Sequence, residues 1–312
     1  MIRSIIITAL LILSSANLFA QSQTQTKSLV ERLGYPADTK LVIVHADDLG
    51  VAHSVNEATI KAFASGLVTS GSIMIPCSWV PEIAAYARAN PQADLGLHLT
   101  LTSEWRDYRW RPLLAGSVPS LLDENGYLYL TESEAASKIK VDEVDKELRA
   151  QIERARKLGI QPTHLDSHMG TLYQSRELFE TLLKIARENK LPIRVSKEMF
   201  TRMNYLPNIL KPEDVVLDHI ITIDPSVSND GWAKYYSDEL KSLSPGVTEM
   251  VIHIAHDDAE MKAITVDHPN WGAAWRERDF QFFTSEAFRK VLEENKIKLI
   301  TWRDLRKVQY GY

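Results

Sequence analysis

The sequence predicts an α/β protein, a distorted TIM-like (β/α) barrel in a single domain, and three observations lead there. Short apolar, β-branched runs recur along the chain, amphipathic helical patterns separate several of them, and residues that carry chemistry stand where the runs end. Strands that alternate with helices imply parallel pairing, because a crossover helix returns the chain to begin the next strand in the same direction. In such folds the binding and catalytic groups gather at the carboxyl ends of the strands.

Residues 1–20 read as a secretory signal peptide, with Arg3 as its positive end, an apolar stretch from Ile5 to Leu13, and Leu18-Phe19-Ala20 before the expected cleavage at Gln21. The apolar stretch is short for a membrane span and is interrupted by Ser14, Ser15 and Asn17, so no stable membrane anchor is expected and the protein is placed in the periplasm or outside the cell. Residues 21–39 form an N-terminal extension, and one domain is expected over residues 40–312.

Eight candidate strands follow: Leu41 to His45, Ser72 to Ile75, Leu95 to Leu99, Thr163 to Ser167, Ile193 to Ser196, Ile220 to Ile223, Met250 to His253 and Leu299 to Trp302. The clearest helix places Val141, Val144, Leu148, Ile152 and Ala155 on one stripe of a charged segment. Others are expected over Val55 to Ala64, Pro81 to Arg88, Glu177 to Glu188 and Glu286 to Asn295. Residues 103–130, which contain Trp105, Trp110, Pro112 and Pro119, show no period and read as a loop insertion over one end of the sheet.

A net charge of −5 without basic clusters leaves no footprint for nucleic acid or an anionic membrane. The single cysteine, Cys77, permits no intramolecular disulfide, and its apolar surroundings mark it as buried and inert. A hydrophobic content of 45% is enough for one sizeable core, and a neutral small molecule or glycan suits the charge balance.

Asp47 and Asp48 end the first strand, His98 closes the third, His164-Leu165-Asp166-Ser167-His168 closes the fourth, and His253 ends the seventh. Burying an ionised carboxylate costs several kcal/mol unless it is paired or coordinated, so two adjacent aspartates at one strand end call for a cation or an open cleft. Alternate residues of a strand share a face, which allows His164, Asp166 and His168 all to point inward. One carboxylate with two imidazoles is a common shell for a catalytic divalent ion; zinc suits the nitrogen-rich set, and magnesium, manganese, nickel and cobalt stay open. Asp48 as ligand and Asp47 as base fit that chemistry, with a histidine opposite to protonate a leaving group.

The blocks Val44-His45-Ala46-Asp47-Asp48-Leu49-Gly50, Ser54-Val55-Asn56, Gly66-Leu67-Val68-Thr69-Ser70, Gly96-Leu97-His98-Leu99-Thr100-Leu101-Thr102 and Pro162-Thr163-His164-Leu165-Asp166-Ser167-His168 resemble, in order and spacing, the YdjC-like (chitooligosaccharide) carbohydrate deacetylase family. Thr248 to His253 is similar to a weaker fourth block, and Arg278-Asp279 with Ile297 to Leu305 resembles the C-terminal end. The resemblance implies a hydrolase with its catalytic domain over residues 40–312. It would remove acetyl groups from an N-acetylated sugar or oligosaccharide with one divalent metal ion, zinc or magnesium. It further implies Asp47 as general base, Asp48, His98 and His168 as metal ligands, and His253 as general acid. His164 would be a neighbouring or substrate-side residue, and Arg194 would steady Asp47 or the substrate, with a surface ion pair as the equal alternative.

The chain departs from the family pattern at His45, where Asn is common, at Leu49, and at Met169, Gly170 and Leu172, where further histidines are common. His253 is followed by Ile254 rather than Pro, which makes His256 a rival acid. Trp105, Trp110, Trp271 and Trp275 are candidates to stack on a sugar ring, with core packing as the alternative. Three other readings stand: a metal hydrolase for another acyl group, a non-catalytic glycan-binding protein on the same fold, and an Fe(II) oxygenase, whose facial triad uses the same ligand types on an antiparallel barrel. Neither the sugar nor the oligomeric state is fixed by the sequence.

Overall fold

In the computed structural model, which describes residues 27–312, the first strand organises everything around it. The expected signal peptide and the start of the N-terminal extension lie outside the described residues. Strand β1 (Lys40–Leu49) is longer than its apolar run and carries both aspartates within it. Leu41 and Ile43 belong to one apolar cluster, with Val215, Leu217, Val247, Ile300, Trp302 and Leu305, whereas Val42, Val44 and Ala46 belong to another, with Met250, Ile252 and the aromatics of the outer helices. That two-residue alternation puts His45 and Asp47 on the inner side, above an apolar floor.

Six further strands complete a parallel sheet: β2 (Ser70–Ile73), β3 (Leu95–Leu99), β4 (Leu165–Ser167), β5 (His219–Ile221), β6 (Gly246–Ile252) and β7 (Ile297–Leu299). The order is β4-β3-β2-β1-β6-β5, with β7 paired to the beginning of β1. The sheet curls into a half-barrel. The expected strand at residues 193–196 is reduced to single bridges, Leu165 to Ile193 and Ser196 to Leu217, which span from β4 to the approach to β5. Pro192 has no N–H to give a ladder there, and its carbonyl accepts from Leu165 instead. Trp302, expected at the end of the last strand, opens the final helix instead, because Thr301 and Asp304 form a reciprocal cap in front of it.

The expected helices are present, four with slightly wider bounds, His53–Ala64, Val80–Ala89, Val141–Lys157 and Arg176–Asn189, and the last one residue shorter, Glu286–Glu294. A further helix, Ala273–Phe283, escaped the pattern analysis because apolar and charged residues are mixed around its circumference. The 103–130 insertion holds one short 3-10 turn, Pro119–Leu121, and otherwise irregular chain. Among the described residues no helix is long and apolar enough to cross a membrane. Cys77 is buried, and burial pushes its thiol well above the ordinary range.

Between the apolar floor and the upper rim lies a layer of buried polar side chains. The Trp302 ring stacks on His164 at 4.9 Å, and its indole N–H donates to Glu249 at 2.8 Å. Gly96 makes room for this pair, since a Cβ at that position would stand 2.4 Å from the His164 ring. His45 Nε2 lies 3.0 Å from Asp47 and 3.3 Å from Asp166, and its Nδ1 lies 3.0 Å from the Ser70 hydroxyl and 3.6 Å from Glu249. Burial and the nearby Arg194 oppose a charge on His45, but the carboxylates of Asp166, Asp47 and Glu249 prevail and raise its pKa from 6.5 to about 9.

Two outcomes follow from this layer. Gly96→Ala is expected to lower stability by about 1–3 kcal/mol, the usual effect of overpacking, read as a reduced urea midpoint. Because the folded pKa of His45 lies above the unfolded one, its contribution is fully present below pH 6.5 and lost as pH rises through about 9. Kept free of divalent ions, the protein should therefore lose on the order of 3 kcal/mol over that window, and His45→Asn should flatten the loss; an unchanged slope in urea titrations of the variant would refute the assignment.

Candidate active site

The two aspartates reach one place because β1 is irregular there. Ala46 pairs with Gly71 and Leu49 with Ile73, so three steps on β1 oppose two on β2. A bulge of this kind adds a residue and re-aims side chains, and Asp48 takes a left-handed backbone, φ 71°, within it. The turn behind is held by Asn56, whose amide oxygen accepts from the Gly50 N–H at 2.7 Å and whose NH2 group donates to Glu82 and to the Trp79 carbonyl. Gly50, at φ 88°, has Val80 so close that a Cβ would fall 2.8 Å from it.

Asp47 and Asp48 are 4% and 3% exposed, yet each is ionised. Burial opposes the charge on Asp47, but Arg194, which donates to it at 3.0 and 3.3 Å, holds its carboxyl well below the usual range. Arg194 also contacts Asp166 at 2.9 Å and Glu249 at 2.8 Å, so it is a buried hub and not a surface ion pair. Asp48 is held low against the same opposition by a different cation, Arg276, which donates to Oδ2 at 2.7 Å.

The other oxygen of Asp48, Oδ1, is buried and has no hydrogen-bond partner. It lies 3.4 Å from His98 Nε2 and 3.5 Å from His168 Nδ1. Tetrahedral ligands about 2.1 Å from a zinc ion stand about 3.4 Å apart, so these three atoms fit around one divalent ion, and the orphaned carboxylate oxygen gives a cation a reason to be there. The far nitrogen of each imidazole is already fixed. His98 Nδ1 meets Asp166 at 2.7 Å and His168 Nε2 meets Glu104 at 2.9 Å, the carboxylate-histidine arrangement that orients metal ligands. Although burial opposes it, Glu104 and Asp48 raise the pKa of His168 to about 10, so without an ion a proton takes the cation's place.

His253 stands just past β6 with Nε2 4.0 Å from Asp47, and its side chain is 18% exposed. Burial lowers its pKa to about 4, which keeps it neutral. Its backbone N–H donates to Asp279, a carboxyl that burial pushes up to about 7 and that also accepts from Trp232 and Tyr236. His256 lies instead near Glu57, Glu277 and Lys61, in edge contact with Phe280. Of the two rival histidines only His253 is therefore at Asp47. His164 is fully buried between His45 and Trp302, which makes it part of the interior layer and gives it no substrate-side surface. Trp105, Trp110 and Trp275 are buried in packing, and among the four candidate tryptophans Trp271 alone is exposed, at 36%.

Sequence reasoning missed Glu104, Arg276 and the supporting roles of Asp166 and Glu249. Glu249 had a visible signal, a lone carboxylate in the apolar run Gly246 to Ile252. Glu104 and Arg276 had none, because one lies in the aperiodic insertion and the other on the helix that showed no stripe. All these strand pairs are parallel, which counts against the Fe(II) oxygenase reading that an antiparallel barrel would have favoured.

The model of the family described as YdjC-like protein matches residues 41–294. A carbohydrate deacetylase of Thermus thermophilus is 34% identical over 288 residues, covering 90% of this chain and 99% of that protein. A chitooligosaccharide deacetylase of Serratia marcescens is 33% identical over 162 residues, covering 51% of this chain and 60% of that protein. A solved structure from Enterococcus faecalis V583 is 28% identical, covers 86% of this chain and 99% of its own, and superposes with a TM-score of 0.71. The bulged aspartate pair, the histidines at the strand ends and these matches over most of the chain agree, and the protein belongs to the YdjC-like family.

Proposed function

We propose that the chain is a metal-dependent carbohydrate deacetylase that hydrolyses the acetamide of an N-acetylated sugar. The observation that carries this reading is the division of labour within one bulge. Asp48 offers an unpartnered oxygen beside two oriented imidazoles, while its neighbour Asp47 is held ionised by a separate arginine and faces His253. The names of the Thermus and Serratia relatives support the substrate class. A purely glycan-binding protein would have no use for the second buried carboxylate.

Asp48, His98 and His168 would hold the ion, and zinc suits two nitrogens and one oxygen better than magnesium, which favours oxygen ligands. Such an ion supplies Lewis acidity toward the amide carbonyl and makes water a better acid near neutral pH. Asp47 accepts the proton of the water that attacks the carbonyl carbon, with Arg194 and His45 fixing its direction. An aspartate held so far below its ordinary range keeps a proton poorly, and His253 is the partly exposed base beside it. The proton passes to His253 and from there to the amine nitrogen as the C–N bond breaks, which leaves acetate and a free amino sugar. The signal segment read in residues 1–20 supports export, so the sugar would be met outside the cytoplasm.

The test is acetate release from a panel of N-acetylated mono- and oligosaccharides by protein stripped with a chelator and then reloaded with zinc or magnesium. Release that depends on the ion is expected, and release indifferent to chelation would sink the reading. Asp48→Ala, His98→Ala and His168→Ala should each lose bound metal by elemental analysis. Asp47→Asn should keep the metal and lose turnover by roughly 100- to 10,000-fold, the span of general acid-base contributions; wild-type kcat in that variant would remove Asp47 from the mechanism.

A further inference from the structure

Resting on the proposed metal site, we infer that Arg276 is a positioning residue that makes Asp48 a one-oxygen ligand. A carboxylate can bind a divalent ion through one oxygen or both, and the choice sets coordination number and affinity. Here the Arg276 Nη2 donor takes Asp48 Oδ2 at 2.7 Å and leaves only Oδ1 toward His98 and His168.

The guanidinium cannot follow Asp48 if the carboxylate turns. Its Nε donates to the Trp271 carbonyl at 2.5 Å, its carbon lies 5.8 Å from the centre of the Trp105 ring, and the residue is 2% exposed. Trp271 itself has a left-handed backbone, φ 58°, which turns its carbonyl toward this contact at some cost in strain. Asp48 is likewise left-handed, so two strained residues are joined through one arginine. The third Arg276 nitrogen, Nη1, is buried without an acceptor. That is an expensive arrangement for a side chain whose only task is packing.

The same loop reaches the second ligand. His268 Nε2 lies 3.2 Å from the Glu104 carbonyl, and the Glu104 side chain holds His168 at 2.9 Å. Residues 268–276 therefore hold one of the three proposed ligands directly, Asp48, and touch the backbone of Glu104, whose side chain holds a second, His168. A lysine at position 276 would keep the charge but has no planar fork to hold Asp48 and the Trp271 carbonyl together.

The experiment loads wild type, Arg276→Gln and Arg276→Lys with Co²⁺ as probe. It reads the dissociation constant by equilibrium dialysis and the coordination number by visible absorption, which weakens as coordination number rises. Arg276→Gln is expected to bind Co²⁺ about 10- to 100-fold more weakly, the usual effect of removing a residue that orients a ligand, and with a weaker visible band as Asp48 turns its second oxygen to the ion. Arg276→Lys should recover affinity in part and keep the altered band. Wild-type affinity and spectrum in Arg276→Gln would overturn the inference, and full recovery of both in Arg276→Lys would reduce Arg276 to a counter-charge. Should the glutamine variant fail to fold, as judged by circular dichroism, the spectrum of the lysine variant decides alone. Wild type that binds no Co²⁺ would overturn the metal site itself, an outcome separate from any behaviour of the variants.

Discussion

Two neighbouring carboxylates cannot both be ionised and buried at one strand end unless each has its own cation. This constraint governs the upper half of the barrel. Arg194 serves Asp47 and Arg276 serves Asp48, and they come from separate parts of the chain, one from the segment after β4 and the other from a helix near the C-terminus. The bulge in β1 is what makes the arrangement feasible, since a regular strand would have sent one of the two aspartates to the outer face.

The interior is graded accordingly. Leu41 and Ile43 lie on the apolar floor, His45 and Glu249 occupy the middle with Trp302 and His164, and Asp47, Asp48, His98 and His168 sit at the rim. Four buried carboxylates, Asp47, Asp48, Asp166 and Glu249, and the partly buried Glu104 face two guanidiniums and the protonated His45. With His168 neutral, as a ligand must be, two negative charges are left over, the charge a divalent ion brings. Desolvation makes such an imbalance costly, so on the proposed reading a bound ion would stabilise the rim, where Glu104 and Asp48 raise the pKa of His168 against burial.

The proposed division between ligands for an ion and a separate base also matches the spacing of support. Asp166 and Glu104 hold the imidazoles from behind, Arg194 and His45 hold Asp47, and the Asp279 carboxyl anchors the backbone at His253. Each of these side chains, or for His253 the backbone that carries it, is thus held by a neighbouring residue. Of the four candidate tryptophans Trp271 alone is exposed, while Trp105, Trp110 and Trp275 are buried in packing contacts.

By itself the sequence determined the parallel α/β class, the bounds of most strands and of the five helices it expected to within a few residues, the irregular 103–130 insertion, and the strand ends at which Asp47, Asp48, His98, His168 and His253 stand. These were legible because strand and helix periods of 2 and 3.6 residues are local rules, and a titratable residue at the end of an apolar run breaks them visibly. Only the tertiary structure decided that Arg194 is buried, that His253 rather than His256 reaches Asp47, that His164 belongs to the interior, and that Glu104 and Arg276 complete the site. The physical reason is distance along the chain. Arg276 and Asp48 are 228 residues apart and Glu104 and His168 are 64 apart, and a hydrogen bond of about 3 Å between such residues is set by how the elements pack, which no local pattern records.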